Sequence, residues 1–171
     1  MAKAKKFGRV LFIGRFQPFH DGHLKVIKDL AGQSGKLMIL IAGPEKPDAK
    51  NPFSFEEREK MTRLALAGEG VRNYEIARII DVNDDEKWGR QIKKFGAFDI
   101  AYSRNPWTTR CLKKAGIPVK RHRFYERCKT CGREIRKRIL NGRRWDSLVP
   151  PAVYRYVRKI NGEKRIKNFA R

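Results

Sequence analysis

A short apolar run, Val10-Leu11-Phe12-Ile13, passes directly into Gly14-Arg15-Phe16-Gln17-Pro18-Phe19-His20-Asp21-Gly22-His23, and then into an amphipathic stretch from Leu24 to Leu30. This order of strand, basic loop and helix constrains the chain to an α/β fold. A helix that starts at the carboxyl end of a strand points its unpaired N–H groups and positive dipole end into the crevice there, which suits a phosphate. His20 and His23 bracket the helix start, so both rings can donate to one anion. The plainer alternatives are a solvent-facing histidine pair or a metal site. Metal is disfavoured, because no third ligand sits at a useful spacing and Arg15 would repel a cation.

With 171 residues the chain is long enough for one domain with a real core. The reading is a basic N-terminal tail over 1–8 and a single domain over 9–171. No apolar run of membrane-spanning length occurs, and the first residues lack the apolar segment of a signal peptide. Three cysteines do not make a disulfide framework and suit a reducing, cytoplasmic setting. The net charge of +23 is unevenly spread: residues 1–109 hold 20 Lys and Arg against 14 Asp and Glu, residues 110–171 hold 21 against 4. One nucleotide needs only a few cations. The basic C-terminal third therefore implies either a nucleic-acid contact or a solvated surface.

Strands are predicted over Arg9–Ile13, Leu37–Ala42, Tyr74–Ile80, Asp99–Ser103 and Val119–His122, each a short apolar or β-branched run between turn residues. Helical patterns lie between and after them: Gly22–Ala31, Ser54–Ala67, Lys87–Phe95, Thr108–Ala115 and Arg133–Asn141. Such alternation implies a Rossmann-like parallel sheet with helices on both faces. A short C-terminal helical segment follows. Pro150-Pro151 opens a final helix whose Val153, Tyr156, Val157 and Ile160 form one apolar stripe, expected to lie on the sheet.

Several loops carry residues that capping alone does not explain. Ser54 and Glu57 read as a capping box, yet Arg58 then sits near a helix start, where the dipole disfavours a cation. Trp88 follows Asp81-Val82-Asn83 in a charged stretch and is either a core anchor or a stacking platform. Tyr102-Ser103-Arg104-Asn105-Pro106 ends the fourth strand, where it is an ordinary turn or a nucleotide contact. Cys128 and Cys131 form a Cys-x-x-Cys pair; with Cys111 and His122 they make a zinc site only if the fold gathers all four.

Gly14-Arg15-Phe16-Gln17-Pro18 with His20-Asp21-Gly22-His23 resembles the signature of nucleotidyltransferases of the His-x-Gly-His superfamily, in the form seen in archaeal-type nicotinamide-nucleotide adenylyltransferases. The similarity runs from Val10 to about Lys167 and includes Asn51-Pro52-Phe53-Ser54 through Arg58, Asp81-Val82-Asn83 with Trp88, and Trp145 through Pro150. It also includes Gly132, Glu134, Ile135 and Arg136, although Cys131 and Arg133 stand where the family has serine and threonine. A thiol is the weaker donor, while a guanidinium replaces a hydroxyl contact with a charge-assisted one or turns to solvent.

The resemblance implies that the chain joins ATP and nicotinamide mononucleotide into NAD and pyrophosphate, with Mg²⁺ and no covalent intermediate. His20, His23, Arg15 and Arg136 would act on the phosphates. Gly14, Phe16, Gly22, Asn105 and Arg133 would bind ATP. Arg58, Asn83, Trp88 and Tyr125 would bind the mononucleotide, with the Trp88 indole on the nicotinamide ring. It also implies a homo-oligomer. Two alternatives stay open: a related transferase acting on another phosphate ester or on RNA, and a non-catalytic nucleotide- or RNA-binding protein.

Overall fold

The computed structural model describes residues 5–122 and 131–170. Five strands form one parallel sheet in the order β3-β2-β1-β4-β5: β1 (Phe7–Gly14), β2 (Ser34–Gly43), β3 (Tyr74–Ile80), β4 (Ile100–Tyr102) and β5 (Val119–Lys120). Seven helices accompany them: α1 (Asp21–Gln33), α2 (Phe55–Gly68), α3 (Asp85–Lys93), α4 (Pro106–Lys114), α5 (Gly132–Leu140), α6 (Pro151–Lys159) and α7 (Gly162–Phe169). Chain contacts divide the described residues into two compact units. One takes those of 1–14, 27–43 and 73–123, the other those of 15–26, 44–72 and 124–171.

The first unit is the sheet with α3 and α4. Strand alternation splits β1 and β2 between two faces. In register, Leu11 pairs with Met38 and Ile13 with Leu40, while Val10 pairs with Leu37 and Phe12 with Ile39. Leu11, Met38 and Leu40 share a buried cluster with Trp88 and Ile92 of α3 and Cys111 and Leu112 of α4. The chain steps from β1 to β2 in one direction and from β3 through β4 to β5 in the other. Right-handed crossovers therefore place α1 opposite α3 and α4, and a crevice opens outside the strand ends where the order reverses, between β1 and β4.

Local chemistry moved several boundaries. β1 begins at Phe7, inside the segment read as a basic tail, because Asp99 Oδ2 accepts the main-chain N–H of Gly8 at 2.7 Å and of Arg9 at 3.0 Å. Lys5 Nζ also donates to the Ala31 carbonyl at 3.2 Å. α3 starts at Asp85, two residues earlier than its apolar pattern, since Asp84 caps it through the N–H groups of Glu86 and Lys87. α4 likewise starts at Pro106, where Asn105 is the N-cap and proline occupies the first turn. β5 ends at Lys120 instead of His122.

The second unit is helical around the loop 15–20. Ser54 and Glu57 do form the capping box of α2, with Glu57 Oε2 accepting from Ser54 N at 2.9 Å. The C-terminal segment differs from the single helix expected after Pro150-Pro151. A left-handed Asn161 (φ 54°) ends α6 and the chain turns into α7. α6 contacts α2 and α7, and α7 contacts α5. The apolar stripe of α6 thus meets helices, with Val153 and Val157 fully buried. Trp145 fastens this corner, donating from Nε1 to Glu163 Oε1 at 2.7 Å. Among the described residues no helix is long and apolar enough to cross a membrane.

Candidate active site

The chain leaves β1 at Gly14 and enters a loop whose backbone is held at Arg15, Gln17 and His20. Phe16 adopts a left-handed φ of 49° and the Gln17–Pro18 peptide is cis. A non-glycine residue in that region costs of order 1–3 kcal/mol. Complete burial of the Phe16 ring, beside Phe19 at 5.7 Å and His23 at 4.7 Å, offsets it.

His20 caps α1, its carbonyl accepting from Leu24 N at 3.1 Å. Its ring lies 3.6 Å from that of His23, nearly parallel at 23°. The two residues exchange reciprocal bonds: His20 N donates to His23 Nδ1 at 3.3 Å, and His23 N donates to His20 Nδ1 at 3.4 Å. A ring nitrogen that accepts carries no proton. In the neutral rings the proton is therefore on Nε2. His20 is only 8% exposed, and burial pushes its pKa down to about 3. It is a neutral hydrogen-bond donor at any physiological pH.

Three arginines surround the loop in this unit. Arg136 of α5 donates from Nη1 to the Gln17 carbonyl at 2.6 Å. Burial works against its charge; nearby Cys131 and Asp48 favour the protonated form, and Arg133 opposes it. A guanidinium does not deprotonate in response; half-desolvated, it gains from an anion. Arg15 is exposed and donates from Nη1 to Asn51 Oδ1 at 3.2 Å. Asn51 in turn holds Asp48, both Asp48 oxygens accepting from Asn51 Nδ2 at 3.1 Å. For Asp48, desolvation acts upward but loses to bonds from Asn51 and Lys50 and to the Arg15 charge, so its carboxyl lies below the usual range.

Arg58 is 2% exposed, and its placement answers why a cation sits near a helix start. Nε donates to the Ser54 carbonyl and Nη1 to the Arg15 carbonyl, both at 3.0 Å. Two main-chain oxygens engage it beneath the loop. The sequence pattern missed a fourth residue, Gln17, which is 4% exposed. Its carboxamide pairs with both main-chain groups of Phe53, donating to the carbonyl and accepting from the N–H, each at 2.9 Å. A buried polar residue between Phe16 and Pro18 was the available signal, since such a group needs partners.

α5 begins with its N-cap, Cys131, which makes no side-chain cap bond. Gly132 has to be glycine. A Cβ there would lie 2.6 Å from the Gln17 carbonyl oxygen, so the helix start rests against the loop backbone. Arg133 is exposed. Gly22 lies in the first turn of α1.

In the sheet unit, the remaining candidates sit at the ends of β3 and β4. Asn83 is exposed just before the α3 cap. The Trp88 indole is a core anchor: it has no exposed surface, packs on Trp107 at 4.8 Å, and its Nε1 has no hydrogen-bond partner. In this conformation a nicotinamide ring cannot stack on its face, because aliphatic and aromatic neighbours already cover it. Asn105 uses Oδ1 to accept from Thr108 N at 3.0 Å. Tyr125 and Cys128 lie outside the described residues. Of the other proposed zinc ligands, Cys111 is in the core and burial pushes its thiol up to about 11. The described residues contain no group of three His, Cys, Asp or Glu that could hold a metal ion.

A parallel sheet reversing beside its first strand, followed by a histidine-bearing loop at a helix start, makes this a Rossmann-like α/β protein. Residues 11–117 match the Cytidylyltransferase-like family. The chain is 39% identical over 165 residues to the nicotinamide-nucleotide adenylyltransferase of Methanolobus tindarius, covering 95% of both chains. It is 36% identical to the protein of that name from Halobacterium salinarum, covering 95% of this chain and 92% of the relative. A bifunctional NMN adenylyltransferase/ADP ribose pyrophosphatase from Francisella tularensis, crystallised with AMP and a manganese ion, has the same fold, with a TM-score of 0.80 at 24% identity. That alignment covers 95% of this chain and 52% of the Francisella chain, so this chain spans about half its length. The chain belongs to the Cytidylyltransferase-like family and, within it, to the group of archaeal proteins named nicotinamide-nucleotide adenylyltransferase.

Proposed function

We propose that this protein transfers the adenylyl group of ATP to nicotinamide mononucleotide. A mononucleotide phosphate oxygen forms a bond to the α-phosphorus of ATP. The bond from that phosphorus to the bridging oxygen breaks, and pyrophosphate leaves with the electron pair; the products are NAD and pyrophosphate. The nucleophile is already an anion, with a second phosphate pKa of about 6, so no catalytic base is required. Catalysis is positioning and charge stabilisation.

One observation carries this reading: the stacked His20 and His23 rings have their Nδ1 atoms occupied by each other's main-chain N–H. On this reading the Nε2–H groups donate to phosphate oxygens at the reacting end. Arg136 and the exposed Arg15 supply charge for the β- and γ-phosphates, and Asp48 with Asn51 orients Arg15. Gly14, Phe16 and Gly22 belong to the segment proposed to meet the triphosphate, and the resemblance to the family adds Asn105 and Arg133 to the proposed ATP-binding residues. Arg58 acts through the Arg15 carbonyl, and the resemblance to the family adds Asn83 and Tyr125 to the proposed mononucleotide-binding residues.

Mg²⁺ is the expected ion; when bound, it would supply positive charge to the phosphates. The described residues offer no group of three His, Cys, Asp or Glu that could hold a metal ion, and a magnesium ion would be held largely by substrate phosphates and water.

The test is pyrophosphate release from ATP with and without nicotinamide mononucleotide, alongside detection of NAD. Release that depends on the mononucleotide is expected. His23→Ala should lower turnover by about 10²–10³-fold, the scale of removing a transition-state donor, with an unchanged circular dichroism spectrum. Near-wild-type turnover would remove His23 from the mechanism.

A further inference from the structure

The exposed side of α4 in the sheet unit borders a cavity of about 460 Å³ lined by Arg104, Pro106, Thr109, Arg110, Lys113, Lys114 and Arg121. Five of these seven are cations, and none is an acid. They come from three places: the end of β4, the helix itself, and the segment after β5. Two guanidinium groups are already oriented. Arg104 Nη1 donates to the His122 carbonyl at 2.8 Å, and Arg110 forms a forked pair with Asp85 at 2.6 and 3.2 Å.

The neighbouring groove supplies an internal comparison. A cavity of about 370 Å³ along α3 and α4 is lined by Glu86, Gly89, Arg90, Lys93, Lys114 and Ala115. There the charges are mixed, and Glu86 pairs with Arg90 at 3.6 Å. An ordinary solvated surface intersperses signs in this way. The α4 groove does not. Asp85 lies at its edge and accepts from Arg110 and Lys114, leaving the lining with an excess of positive charge.

We propose that the α4 groove binds the phosphate backbone of single-stranded nucleic acid. Arg110 and Lys113 are three residues apart on α4, about 5 Å along its axis, and Arg104 and Arg121 extend the row beyond the helix. A row of that length takes more than one phosphate. Among the described residues the lining is cationic and carries no aromatic side chain, so the recognition they supply is electrostatic and indifferent to sequence. Neutralising three or four phosphates of a single strand predicts a slope of log K against log salt of about −2 to −3. The groove is distinct from the histidine loop, and this proposal does not depend on the transferase reading.

The experiment uses the full chain and a fluorescein-labelled 12-nucleotide oligouridylate, followed by fluorescence anisotropy from low to physiological salt. Binding with the stated slope is expected. The pair Lys113→Glu/Arg121→Glu should weaken it at least tenfold, and the milder pair Lys113→Gln/Arg121→Gln severalfold. Both should keep the wild-type melting temperature and rate of NAD formation. Unchanged affinity in both pairs would overturn the proposal. So would displacement of the oligonucleotide by saturating ATP, which would assign the groove to the nucleotide substrate. Equal affinity for polyglutamate would show that phosphate is not what it selects, and would overturn it too.

Discussion

The Arg136 guanidinium donates to the main-chain carbonyl of Gln17 at 2.6 Å, joining the start of α5 to the histidine loop across 119 positions of sequence. The acceptor is backbone, so its position depends on what holds the loop. That holder is the Gln17 side chain, clasped to Phe53.

Gln17→Leu should therefore damage substrate binding as well as stability. It strands the buried N–H and carbonyl of Phe53, at about 1–3 kcal/mol for each unsatisfied group. The apparent KM for ATP should rise more than kcat falls, as Arg136 loses its register. Gln17→Glu keeps an acceptor for Phe53 N–H and should fall between. Urea denaturation with steady-state kinetics reads both effects; an unaltered KM in a stably folded Gln17→Leu protein would refute the role.

Gly132→Ala tests the close approach from the other side. The added methyl would sit 2.6 Å from the Gln17 oxygen and forces α5 outward. Overpacking of this kind costs about 1–3 kcal/mol. Activity should drop severalfold even at temperatures where the protein remains folded, measured by NAD formation beside a thermal melt.

Cys131→Ser runs in the favourable direction. Cys131 caps α5 without a side-chain bond, and a serine hydroxyl accepts the N–H that the thiol leaves unmet. A stabilisation of about 0.5–1 kcal/mol is expected from the new cap, with a lower KM for ATP because the hydroxyl also donates to phosphate. A thermal melt and an ATP titration check the two parts separately.

His20 sets an acid limit on stability. Its folded pKa of about 3 lies below the unfolded value of 6.5, so between these the unfolded chain binds the extra proton. Stability from this group is fully present above pH 6.5 and falls by up to about 1.4 kcal/mol per pH unit as pH drops toward 3. His20→Gln, which does not titrate, should show a shallower slope in urea midpoints between pH 6.5 and 4. Equal slopes would mean that the imidazole is not kept neutral by burial.

The α/β alternation, the Ser54–Glu57 capping box and the helix start at the histidine loop were legible in the residues because each rests on contacts a few positions apart. Periodicity and capping are short-range properties. α7 escaped because Asn161-Gly162 reads as a stop, and a left-handed Asn161 lets a second helix begin where the first ends.

The ring that the family pattern assigned to nicotinamide lies wholly inside the core. Trp88 shows why: a large apolar side chain takes whichever burial the assembled sheet and helices offer. Arg58 beneath the Arg15 carbonyl and Gln17 between Phe53 and Arg136 are settled by residues 36 to 119 positions away. Composition and spacing announce that such polar groups need partners. Which partners they find depends on the packing that folding brings together, and no local pattern encodes it.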